Sequence, residues 1–530
     1  MKRFIIILAI CSTVIAVNAQ SVIINKQLKD FPDTFNLSTP LYAGITCSYL
    51  IVNGKENRWR DASVYMIREY LPKSNALDRT IKETTKKRML NSQIKEVNIY
   101  KDSVACMITQ IDSASYSIRT LGFEDGKWLN IGEDMRRDME SSRGVFSANA
   151  SNTLDRLRKS IQLKSVTTDT LAFVNYLKQN GVQPKEFLFE VISSHTLVIY
   201  GELHRRKISW DFLTSILYDP RFPEKVGTVF VELPSYQQSE FDKFYASKKL
   251  DTEILLEIMR SQQIYGWWDR GEYEFLINVW KLNQTLPFKK QIKVVPVDEQ
   301  LPYKTLKTAE DFKKSEAELI DRNTNMANLV EKTLQIKTDK RNSLFIVGYG
   351  HAYKSHVPGG SSTAEGQEPA LSAGAQLIQR LSDKNVFVIL QHVPMGTNSG
   401  ALGFIRHGLF DTVFEKLGNK PVAFRLGGSP FGTEPFDADY EMSFDSRVGN
   451  FEDNFDGYIF LNPLKDEDSD YILYDIWSDQ FVDEMKRRAT LSDFNMNRWL
   501  GNEGELTKEK IISTFKEEYE GKKRWSQLFE

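Results

Sequence analysis

The amino-acid sequence predicts an α/β protein, a mainly parallel sheet flanked by helices, preceded by a small α+β domain. Three observations predict it. Beyond Thr196, short continuous apolar runs alternate with longer amphipathic segments, the pattern of buried parallel strands joined by helices. Before residue 150, apolar and polar residues instead alternate over several short runs separated by turn sequences, which reads as an antiparallel meander. And 530 residues are too many for one core, so two or three domains are expected.

The elements follow in order. Lys2 and Arg3 precede the apolar run Phe4 to Val17, and Val17-Asn18-Ala19 closes it with small or tolerable residues. Residues 1–19 therefore read as a signal peptide cleaved after Ala19, with export to the periplasm or the extracellular space. The run is short for a spanning helix. No later stretch is apolar enough to cross a bilayer, so no stable membrane insertion is expected after cleavage. Residues 20–150 form the α+β accessory domain, with "DASVYMIREYL" at helical spacing and the meander "QIKEVNIYKDSVACMITQIDSASYSIRTLGFEDGKWLNIGED". Cys47 and Cys106 lie in it. Export permits a disulfide between them, and two buried thiols in neighbouring strands fit the pattern as well. Residues 151–190 read as a helical linker, and residues 191–465 as the main α/β domain. In the latter the strand candidates are Leu197–Tyr200, Val226–Val231, Ile292–Val297, Leu344–Val347 and Val386–Leu390. Residues 466–530 carry two amphipathic helical patterns, a C-terminal extension.

Composition bounds the function. The chain is 41% hydrophobic and 26% charged with a formal net charge of -2, so no basic excess exists to neutralise phosphates and nucleic acid is excluded as the main partner. The oligomeric state is not set by any of these patterns.

In an open α/β sheet, ligands bind outside the carboxyl ends of the strands, so the residue ending each run is the one to read. The first run ends in Glu202 and His204, the second in Glu232, the third in Asp298 and Glu299. The fourth ends in Gly348-Tyr349-Gly350-His351 and the fifth in Gln391 and His392. Each has an ordinary structural explanation alone: a helix-start carboxylate for Glu232, a solvated loop for Asp298-Glu299, a satisfied core histidine for His392. Only six histidines occur in the chain, however, and two follow a Gly by three positions at strand ends. Two designs fit such a set. His204, His351 and Glu232 could hold a divalent metal such as zinc or manganese that activates water. Alternatively His204 acts as a general base supported by Glu202 or Glu232, with His351 assisting. Arg270 is a candidate for stabilising a developing oxyanion. Its neighbours Trp267, Trp268 and Tyr273 are candidates for substrate binding, together with Tyr349 and Asp298, although the tryptophans suit a core equally. The cations Arg205, Arg206 and Lys207 read as a solvated helix start.

"IYGELH", the downstream "VFVEL" and the later "FIVGYGHAY" resemble the superfamily that joins erythromycin esterases, haem-binding ChaN proteins, TraB/PrgY proteins and Tiki proteases. Its hallmark is two Gly-x-x-His motifs at strand ends with a glutamate on the strand between them, here Gly201 to His204, Gly348 to His351, and Glu232. "YGWWDRGEYEFLINVW" is similar to a helix start of the ChaN-like branch, and "FDGYIFLNP" to the closing strand of the esterase-like members. The resemblance covers about Glu186 to Pro463. "GFEDGKWLNIG" also resembles the last strands of NTF2-like domains. The superfamily resemblance implies a hydrolase, and the N-terminal segment implies that it is exported. It would attack an ester, lactone or amide of a small-molecule or peptide substrate, with a His- or metal-activated water. The alternative it implies is a haem- or small-ligand-binding protein in which Tyr349, Tyr353 or a histidine serves as axial ligand.

Overall fold

The computed structural model describes residues 19–528 except 56–57, 65–80, 114, 164–169, 263–267, 355–370, 397–401, 435, 437–448, 470, 493, 495 and 497–504. The expected signal segment before Ala19 lies outside the described residues, as do Trp267 and most of "DASVYMIREYL". No helix among the described residues is long and apolar enough to cross a membrane. The rest fall into two compact units, one before the break at 164–169 and one after it.

The first unit is built on an antiparallel sheet in the order β1 (Ala19–Gln27), β2 (Gln93–Tyr100), β3 (Val104–Asp112), β4 (Ser115–Glu124), β5 (Lys127–Arg136). Helix Pro40–Val52 packs on it, begun by Thr39, whose hydroxyl accepts from the Tyr42 N–H. Ile45, Tyr49 and Val52 from that helix share a core with Ile94, Val97 and Met107 from the sheet. Cys47 lies on the helix, not on a strand, and both Cys47 and Cys106 are free, buried thiols, so the disulfide alternative is not realised. Burial pushes them up to about 11 and about 12 respectively, which leaves them unreactive.

The second unit holds the α/β sheet. All five apolar runs are strands: β6 (Leu197–Glu202), β7 (Val226–Pro234), β8 (Lys293–Asp298), β9 (Asn342–Gly348) and β10 (Val386–Gln391). After a two-residue hairpin of β11 (Met395–Gly396) and β12 (Leu402–Gly403) come β13 (Val422–Arg425) and β14 (Gly457–Phe460). The seven-stranded order is β13-β14-β10-β6-β9-β7-β8, parallel throughout except for the antiparallel edge strand β13. Near-continuous burial along β6, β7, β9 and β10 follows from helices covering both faces. The chain leaving β6 runs toward β7, past β9, whereas the chain leaving β9 returns to β10, past β6. Two neighbouring strands thus send their connections in opposite directions, the switch-point condition that opens a crevice at their carboxyl ends.

The C-terminal extension belongs to this unit's core. Trp477, Phe481, Met485, Ile511 and Phe515 cluster with Leu213, Val229 and Phe275. Trp268 joins them, its ring 4.9 Å from that of Trp477 in an edge-on arrangement.

Candidate active site

The crevice is lined by backbone before it is lined by side chains. Glu202, the last residue of β6, pairs in register with Gly348, the last of β9. The chain then turns sharply at Arg205, held at φ 67°, which brings His204 back over the strand ends. A Cβ on Gly348 would lie 2.7 Å from His204 Nε2 and 3.3 Å from Glu232 Oε2, so only glycine lets the imidazole sit there.

His204 bridges two buried carboxylates. Its Nδ1 lies 2.7 Å from Glu202 Oε1 and its Nε2 3.5 Å from Glu232 Oε2. The short Nδ1–H to carboxylate bond fixes the tautomer and leaves Nε2 as the reactive nitrogen. Burial works against the imidazolium, but Glu232 and Glu202 outweigh it and raise His204 to about 9. Glu232 is the hub. It accepts from the Gly348 N–H at 2.8 Å, pairs with Arg322 at 2.8 Å and lies 3.5 Å from His351 Nε2. Burial alone would raise its carboxyl; His204, His351 and Arg322 around it hold it down at about 2. His351, its Nδ1 2.8 Å from Asn323 Oδ1, is kept below the ordinary imidazole value by burial despite Glu232. The two histidines are therefore pushed apart, one up and one down.

Arg322 also grips Asp298, at 2.8 Å through Nε and 2.9 Å through a terminal nitrogen. Asp321 caps the helix Arg322–Ile336, and this sets Arg322 at its first turn, aimed at the strand ends. A further acidic pair comes from the start of helix Arg270–Thr285. Asp269 accepts from the Gly271 N–H at 2.7 Å and from Trp210 Nε1 at 3.0 Å. Burial and then Glu202 push Asp269 up to about 7, and burial with three carboxyl neighbours lifts Glu272 well above its usual range. Glu202, His204, Glu232, Asp269 and Glu272 line one small pocket, whose wall includes Ile346 and Val347.

Of the residues singled out by sequence, the structure gathers Glu202, His204, Glu232, Asp298 and His351. It does not gather the others. Arg270 points away, half-exposed and paired with Glu274 at 2.9 Å. Trp268 and Tyr273 are core residues. Tyr349 is half-buried, its ring 6.0 Å from that of Tyr353, and does not line the pocket. Tyr353 is itself enclosed by Phe436 and Phe455 and is not available as an axial ligand. His392 is a core histidine between the Tyr458 hydroxyl (2.7 Å) and Asp411 (3.2 Å). Arg206 corrects the expectation of a solvated helix start. It is fully buried, paired with Glu467 and donating to the His392 carbonyl at 2.6 Å. Glu467 also accepts from Trp525 Nε1, and the adjacent Arg524 donates to the His204 carbonyl at 2.8 Å.

The alternative in which His204, His351 and Glu232 hold a divalent metal finds no grouped ligand set here. Among the described residues no three His, Cys, Asp or Glu side chains are grouped as a ligand set, and Arg322 already supplies the positive charge between Glu232 and Asp298.

No protein-family model and no curated protein matches the chain. Among solved structures it is similar to a Bacillus cereus protein at 11% identity, with a TM-score of 0.36 over 56% of this chain and 97% of that one. It is also similar to a mutant of the erythromycin esterase EreC in its open conformation, at 12% identity and TM-score 0.36 over 52% and 93% of the two chains. A third likeness is to Campylobacter jejuni ChaN, a structure of cofacial heme binding, at 14% identity and TM-score 0.27 over 40% and 87%.

Proposed function

We propose that the protein is a hydrolase that attacks an ester, lactone or amide with a water activated by His204. The observation that carries the reading is the 2.7 Å contact between His204 Nδ1 and the buried Glu202 carboxylate, which leaves Nε2 facing the pocket. In this scheme Nε2 takes a proton from water as the oxygen adds to the carbonyl carbon, and the imidazolium returns it to the leaving alkoxide or amine. Glu202 holds the tautomer and supports the charge on the ring. Arg322 supplies the fixed positive charge for the oxyanion. Its Nε and one terminal nitrogen are engaged by Asp298 and Glu232, while the other terminal nitrogen makes no hydrogen bond among the described residues. Glu232 positions all of these groups at once.

Export of the protein by its N-terminal segment remains part of this proposal, and the substrate is a small molecule or a peptide. The test is turnover of a panel of simple esters, lactones and amides by the full-length protein. His204→Ala is expected to lower kcat/KM by about 10²- to 10⁴-fold with an unchanged circular dichroism spectrum. Unchanged turnover in His204→Ala would remove the residue from the mechanism.

A further inference from the structure

His204 sits on a turn that its own neighbours do not hold. Arg205, the next residue, stands in the left-handed region at φ 67°, where a residue other than glycine is strained and persists only when its surroundings fix it. Arg206 then begins the helix Lys207–Leu217 without a side-chain cap. Both flanks of the strained residue are held instead by two segments far along the chain. Glu467 pairs with the buried Arg206 guanidinium, and Arg524 donates to the His204 carbonyl at 2.8 Å. These two segments are tied to each other. The Ser469 N–H donates to the Lys522 carbonyl and the Arg524 N–H to the Glu467 carbonyl, each at 2.9 Å, and Asp468 and Lys523 form an antiparallel bridge between them. Trp525 Nε1 closes the unit on the Glu467 carboxylate at 2.9 Å.

Packing alone does not account for Arg524. Among the described residues its side chain makes no ion pair, its one hydrogen bond ends on His204, and a terminal nitrogen is buried without a partner. The guanidinium lies 4.5 Å from the Trp525 ring and 5.1 Å from the Tyr471 ring. Burial, and then Arg206, lower it to about 10, so it remains a cation at neutral pH. A buried cation without an ion pair is costly, and what this one accomplishes is to fix the carbonyl of residue 204.

We infer that Arg524 is a positioning residue for His204: with Glu467 and Trp525 it clamps the turn at 204–206 from both sides and so keeps the imidazole between Glu202 and Glu232. Without the clamp, the strain at Arg205 is released by rotation toward extended backbone. That rotation moves the backbone of His204 and draws the ring away from its carboxylates. The effect on turnover rests on the hydrolase reading; the effect on the ring does not.

The experiment is a pH titration of isotope-labelled histidine by NMR in the full-length protein, run beside ester turnover. The His204 signal is identified by its loss in His204→Gln, and its midpoint in the wild type is expected near 9. Arg524→Met keeps the aliphatic length and removes the donor. It should lower the midpoint by about one pH unit or more, and lower kcat by about 10²-fold with KM little changed. Loss of a nearby cation could by itself only raise the imidazole, so a fall reports displacement from the carboxylates. Trp525→Phe removes only the donor to Glu467. It should move the midpoint the same way by a smaller amount, and it carries the test if Arg524→Met does not fold. A midpoint that stays or rises in the variant that folds would overturn the inference, even where turnover falls. Turnover that depends on His204, with the midpoint unmoved, would leave the hydrolase reading standing and the clamp refuted. A midpoint that falls in a protein that turns over no ester, lactone or amide would do the reverse.

Discussion

Replacing His204 with Gln removes one pH-dependent contribution to stability, and its size follows from the geometry. The side chain is 22% exposed and sits between Glu202 and Glu232. Folding raises its imidazole from 6.5 to about 9. At about 1.4 kcal/mol per pH unit, the charged ring contributes about 3 kcal/mol. The sign follows from proton binding. Between those two values the native state holds a proton that the unfolded chain has released, so stability falls as pH rises. The contribution is complete below pH 6.5 and is lost as pH passes through about 9. The assay is urea unfolding of wild type and His204→Gln at about pH 6 and about pH 10. Subtracting the variant cancels the shared groups that do not interact with His204. The wild type's advantage should shrink by about 3 kcal/mol between the two conditions. An advantage that stays constant would mean that His204 is not held as an imidazolium between the two carboxylates.

Gly348→Ala places a Cβ 2.7 Å from His204 Nε2, so the ring must shift. The expected result is a loss of about 10²-fold in kcat/KM for a stability cost of about 1–3 kcal/mol. Both are read by ester turnover and urea unfolding, and full activity would show that the ring position does not matter. Arg322→Met leaves Glu232 and Asp298 without their cation and should destabilise by about 3 kcal/mol, seen as a lower urea midpoint. Prolonged treatment with EDTA should leave turnover unchanged, because Arg322 and not a metal balances the carboxylates. Loss of activity restored by zinc or manganese would reverse that assignment.

The α/β sheet was readable because its signals are local. Five apolar runs of strand length gave five parallel strands, and the residues that end them supplied Glu202, His204, Glu232, Asp298 and His351 to one edge. What escaped was disguised by an ordinary local role. Asp269 and Glu272 occupy the N-cap and third position of a helix, where acids are common for reasons of capping alone. Arg322 is the exception that carried a signal, since a cation at the first turn of a helix opposes the helix dipole. Arg206 hid in a run of three cations, and its partner Glu467 is 261 residues away. Arg524, which holds the His204 carbonyl from 320 residues downstream, has no local signature. Arg270 was misleading for the converse reason. It stands beside aromatics in sequence, but its helix turns it outward to Glu274.

The pH dependence of kcat/KM for a neutral ester tests the central claim most directly, since it reports the ionisation of the essential base in the free enzyme. With His204 as base, activity rises with pH along a single limb centred near 9 and is flat above it. A limb below the ordinary imidazole value would contradict the account and move the base to His351, the histidine that burial holds neutral.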